Sequence, residues 1–180
     1  AERPGAIVLR GPGGNGKSAL AREVGAQAST RGWQVVRVEA TDSGRAYAVV
    51  GAIAERLLLQ DRALLDRVGD AARRVLALLS PLAAPGQALA GPLGRHQVVG
   101  AIRRLLVAAA AGAELLLQID DAHGAGDADI DVLLQLAMAG APICVLLGVR
   151  PQAAGAALAR GIARLQRAGA LQVLDLEPLD

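Results

Sequence analysis

GPGGNGKS at positions 11–18 restricts this chain more than any other stretch, because it lies between an apolar run, AIVLR at 6–10, and a helix-compatible run at 18–31 that Gly32 closes. The eight residues satisfy G-x-x-x-x-G-K-[ST] in full. Glycines allow the backbone to take positive φ and to aim successive N–H groups into one concave nest, which side chains there would obstruct. The helix behind the loop points its positive end at the same place. Such a nest suits a phosphate. Gly11, Pro12, Gly13, Gly14, Asn15, Gly16, Lys17 and Ser18, with Ala19 behind them, are therefore the candidate nucleotide-binding residues. Lys17 is placed to bridge β- and γ-phosphates, and the Ser18 hydroxyl to hold Mg²⁺. A glycine-rich turn with no ligand would need no lysine, yet the single lysine of 180 residues falls on this position.

Composition removes several other classes. Apolar residues make up 53% and charged residues 20%, enough to build a core and too apolar for a disordered chain. The longest nearly apolar stretch, 105–117, contains Glu114 and falls short of the roughly 20 residues a membrane helix needs. One cysteine excludes an internal disulfide, and Cys144 within PICVLLGV reads as a buried small hydrophobe. The net charge is only +2, and with no Phe, one Trp and one Tyr there is no aromatic platform for bases. No nucleic-acid contact is expected from this segment. Nothing at the N-terminus resembles a signal peptide, so a cytoplasmic setting and a piece of a longer chain are expected.

Strands and helices alternate along the chain. Strands are predicted at 6–10, 35–39, 115–120, 143–149 and 171–176. Helices are predicted at 18–31, 46–59, 61–79, 95–111, 130–139 and 153–167, and 81–94 reads as a Pro/Gly-rich joint. Four of the five strands are apolar on both faces, as in an α/β domain whose mostly parallel sheet is covered by helices on both sides.

The strand LLLQID ends in an acidic pair whose end opens at the same edge as the glycine loop. Asp120 is a candidate Mg²⁺ partner through water. Asp121 is a candidate catalytic residue that orients or deprotonates an attacking water. Arg150 ends the fourth strand and is a candidate catalytic sensor of the γ-phosphate, provided that strand lies between the first and third. A capping turn explains paired Asp residues as well, and a solvated strand end explains Arg150; the glycine loop upstream favours the chemical reading of both. His123 serves equally to brace the loop or to touch nucleotide. His96, and Arg73, Arg74, Arg103 and Arg104 in their helices, read as surface, and Trp33 as packing at the sheet edge. A guanine-reading Asn-Lys-x-Asp motif needs a second lysine, so ATP or ADP is favoured over GTP.

IVLRGPGGNGKSAL, LLLQIDDAH, ICVLLGVR and LDLEPL, in this order, resemble the ATPase module of the STAND class within the AAA+ relatives, especially the form found in large LuxR-type transcriptional regulators of high-GC bacteria. The resemblance runs from 6 to 179. It implies a three-layer αβα P-loop NTPase of ASCE type with strand order 5-1-4-3-2, with Arg150 matching the sensor-1 arginine and Asp121 the second Walker B acid. The chain departs from the family at GAGD, 124–127, where members usually carry Trp-Ala-Asp. Members also continue past LEPL into a helical and winged-helix lid. Residues 1–180 are thus expected to be a core domain without its lid or any DNA-binding domain. The implied activity is slow ATP hydrolysis in a nucleotide switch, with a homo-oligomer possible on activation. A scaffold that signals by holding ATP or ADP without turnover is the alternative, and a small-molecule P-loop kinase a more distant one.

Overall fold

The computed structural model describes residues 4–41, 44–83, 93–140 and 142–177. Five parallel strands form one sheet: β1 Ala6–Arg10, β2 Gln34–Glu39, β3 Leu115–Asp120, β4 Ile143–Val149 and β5 Leu171–Asp175, in spatial order β2-β3-β4-β1-β5. Read from the other edge this is the expected 5-1-4-3-2. Leu115 pairs with Ile143 across β3 and β4, and Ala6 with Val145 across β1 and β4. The two most buried strands, β3 and β4, therefore lie side by side with β1 next to them, and the ends of β1, β3 and β4 open at one edge.

Alternation along the strands divides the core in two. Leu115, Leu117 and Ile119 join Val8, Val36, Val145 and Leu147 in the larger cluster, whereas Leu116, Leu9 and Leu146 face the other side. On the larger side lie α2 Ala48–Gln60, α4 Asp70–Leu79, α5 Arg95–Ala110, α6 Asp127–Ala139 and α7 Ala156–Arg167, with the one-turn α3 Leu64–Arg67 between α2 and α4. Helix α5 buries Val98, Ala101, Ile102, Leu105 and Leu106, the spacing of one apolar helical stripe. Leu105 is fully buried. Leu105→Ala is expected to cost about 2–5 kcal/mol, read from denaturant midpoints, because the cavity it leaves cannot fully collapse.

The smaller side is covered by α1 Lys17–Thr30. Its buried residues, Lys17, Ala21 and Gly25, form a narrow row that lets the helix lie close against β3. There the buried Gln118 amide donates to the Ala21 carbonyl. This contact fixes the start of α1 over the strand ends.

Some boundaries differ from the sequence reading. The helix expected over 61–79 is broken because Gly69 takes φ 80°, leaving α3 and α4. The helix expected from 130 starts at Asp127, where Asp127 and Asp129 occupy its first turn and suit its positive end. The last helix starts at Ala156 after a 3₁₀ turn at Pro151–Ala153. Cys144 is half-buried beside Trp33 in the smaller cluster. Most of the 81–94 joint, residues 84–92, lies outside the described residues. Among the described residues no helix is long and apolar enough to cross a membrane.

Asp129 adds an electrostatic feature of the core. Tyr47 gives α2 no side-chain cap, and Asp129 Oδ1 instead accepts from the Val50 N–H at 2.8 Å, while its Oδ2 has no partner among the described residues. Burial pushes its carboxyl above the ordinary range, and the Val50, Val49 and Ala48 N–H groups offset this only in part. The folded state thus holds a proton that the unfolded chain has released, so stability falls as pH rises from the ordinary aspartate value of about 3.9 through the higher folded value. Asp129→Asn is expected to flatten that decline in unfolding titrations.

Candidate nucleotide site

The site is assembled from the ends of β1, β3 and β4 and the start of α1. Gly14 and Gly16 take φ 84° and 72°, a backbone region costly for other residues. At Gly11 the constraint is space, since a Cβ there would lie 2.7 Å from the Leu176 carbonyl oxygen. The loop is tied on both sides. Gly11 N–H donates to the Val149 carbonyl at 3.3 Å, and the Asn15 side-chain amide to the Leu176 carbonyl at 3.1 Å.

Lys17 is only 6% exposed, and its Nζ donates to the carbonyls of Gly11, at 2.8 Å, and Pro12. The ammonium is held inside the loop. Next to it, Ser18 Oγ donates to Asp120 Oδ1 at 3.0 Å, joining residues 102 positions apart. Asp120 Oδ1 also accepts the Asp121 N–H at 3.1 Å, and Oδ2 accepts Arg37 Nη2 at 2.9 Å. Burial pushes the Asp120 carboxyl up, but the hydrogen bonds from Ser18 and Arg37, the Arg37 charge and the Asp121 N–H outweigh it and hold the group below its ordinary value. Asp120 is therefore ionised at neutral pH.

Asp121 leaves the strand with φ 49°, a strained conformation that Asp tolerates better than most residues. This turns its carboxylate toward Arg150, whose Nη2 donates to Asp121 Oδ2 at 3.1 Å. The guanidinium also borders the loop, 3.9 Å from where a Gly13 Cβ would stand. His123 Nδ1 lies 3.9 Å from Asp121 Oδ1 and has no hydrogen-bond partner among the described residues. His96 is exposed, as expected.

The structure thus brings together the glycine loop, Lys17, Ser18, Asp120, Asp121 and Arg150. Sequence reasoning missed Arg37. The alternation VVRVE places it on the α1 face of β2, and only the β2–β3 pairing, in which Arg37 lies beside Gln118 and Glu39 beside Asp120, puts it within reach of the acid.

The residues also fit Mg²⁺. One hydroxyl and one ionised carboxylate are hard oxygen donors, a set that holds Mg²⁺ together with substrate phosphates and water. Among the described residues no group of three or more His, Cys, Asp or Glu side chains forms an all-protein metal cage.

The family model described as AAA ATPase domain matches residues 1–146. The chain belongs to this family. As an AAA ATPase domain it is a nucleotide-binding P-loop protein, with the α/β fold and strand order that its sheet displays. No curated protein matches it. Among solved structures it is similar to a chain of Drosophila ORC bound to GC-rich DNA and Cdc6, with TM-score 0.55, 15% identity, and 97% of this chain and 50% of that chain covered. It is also similar to a chain of the E. coli MS115-1 HORMA:CdnC:Trip13 complex, with TM-score 0.47, 21% identity, and 99% and 50% covered. The AAA ATPase domain spans about half the length of these chains. At 15% identity the likeness to the ORC chain concerns the fold alone.

Proposed function

We propose that this AAA ATPase domain is an ATP-binding, slowly hydrolysing switch of a multidomain signal-transduction or transcriptional regulator of the STAND class. The observation that carries the nucleotide reading is the 3.0 Å hydrogen bond from Ser18 to Asp120, which joins the glycine loop to the acidic strand end beside the enclosed Lys17. In this reading Gly11, Pro12, Gly13, Gly14, Asn15, Gly16, Lys17, Ser18 and Ala19 bind ATP or ADP, and Ser18 and Asp120 hold Mg²⁺. When bound, Mg²⁺ neutralises charge on the phosphate oxygens. Asp121 orients the attacking water and accepts its proton. Arg150 reports the γ-phosphate, and because its guanidinium engages Asp121, that base is restrained until Arg150 finds another anion. Slow turnover follows from this pairing.

The same ion pair favours a second reading, a domain that signals by occupancy without turnover. The resemblance of the four motifs to LuxR-type regulators supports the regulatory role, a cytoplasmic setting, and a lid and effector domains elsewhere in the parent protein. Assembly into a homo-oligomer on activation belongs to the same reading.

A thermal-shift titration tests nucleotide choice. Stabilisation follows RT ln(1 + [L]/Kd), about 2.7 kcal/mol at one hundred times Kd. MgATP and MgADP are expected to raise the melting temperature, and MgGTP to have little effect. An equal response to MgGTP would remove the adenine preference.

A further inference from the structure

We propose that Arg37 is a positioning residue of the nucleotide site, a built-in counter-charge for Asp120 that lets the site hold nucleotide phosphates when metal is scarce. The inference rests on the nucleotide-binding reading and deepens it. Arg37 projects from β2, one strand beyond the acid it contacts. Its backbone lies beside Gln118, two residues short of Asp120, so the side chain must run roughly 6–7 Å along the sheet to reach the carboxylate. It arrives with Nη2 at 2.9 Å from Oδ2, while Ser18 holds Oδ1 at 3.0 Å. The two oxygens have different tasks. Oδ1 is joined to the glycine loop, and Oδ2 to a cation on the far side.

The Asp120 side chain is 14% exposed and that of Arg37 34%, so the pair is partly shielded from solvent. A carboxylate this close to the loop that receives phosphates repels them unless its charge is balanced. Guanidinium does not lose its proton in proteins, so the balance is present at every working pH, before any metal arrives. Without Arg37 that balance must come from Mg²⁺.

ADP affinity measured with excess EDTA and with saturating Mg²⁺ separates this role from a structural one. Arg37→Gln is expected to weaken metal-free binding by about fivefold, the upper range for a partly exposed ion pair, and MgADP binding by less than about twofold. Arg37→Lys keeps the charge and is expected to recover most of the metal-free affinity. In an Asp120→Asn background Arg37→Gln is expected to add nothing, because no charge remains to balance. Equal losses with and without Mg²⁺, no loss in either, or the same loss in the Asp120→Asn background would each overturn the proposal. A parent chain that binds ADP in neither condition would instead overturn the nucleotide reading beneath it.

Discussion

Lys17→Ala is expected to weaken ATP binding by about ten- to a hundredfold, the equivalent of one charge-assisted hydrogen bond of roughly 1.5–3 kcal/mol. The size of the effect follows from where the side chain sits. Its Nζ is enclosed by the loop and donates to the Gly11 and Pro12 carbonyls, inside the nest that faces the phosphates. Truncation also leaves those two carbonyls without their donor and loosens the loop itself. Equilibrium binding of labelled ATP to both forms measures the loss, and an unchanged affinity would remove Lys17 from the phosphate site.

Asp121→Asn is expected to act on a different step. Asp121 is offset from the Ser18–Asp120 pair by the turn at φ 49° and faces Arg150, so binding should be largely retained. Turnover is expected to fall by about 10²–10⁴-fold, the usual contribution of a positioned general base. A loss of turnover at nearly constant affinity marks an interaction made mainly in the transition state. Phosphate release under single-turnover conditions reads it out. Parental rates in the Asn variant would remove Asp121 as the base.

Much of this site was legible in the sequence because short-range chemistry determines it. Strands β1, β3 and β4 lie where apolar runs meet glycine, aspartate or Arg-Pro, and those punctuation marks are also the site residues. Features that depend on tertiary neighbours were not legible. Gly69 sits inside a convincing helical pattern, and nothing local reveals that its backbone turns to φ 80° and splits the helix. Asp129 reads as one more acid in a polar first turn, although it is fully buried against the start of α2. Arg37 belongs with it. Period-2 alternation states which face a strand residue occupies, and says nothing of which strand lies alongside.

The central claim, that the loop at 11–18 cradles the phosphates of a nucleotide, is tested most directly by following backbone amide resonances while MgADP is added. Bound phosphate draws on the N–H groups that face it, so the amides of Gly13, Gly14, Gly16, Lys17 and Ser18 are predicted to shift together and saturate along one binding curve. The Trp33 indole, beyond the far end of α1 and packed in the smaller core cluster, should stay near its starting position. Loop amides that do not move at saturating MgADP, or shifts centred on Trp33 instead, would contradict the account.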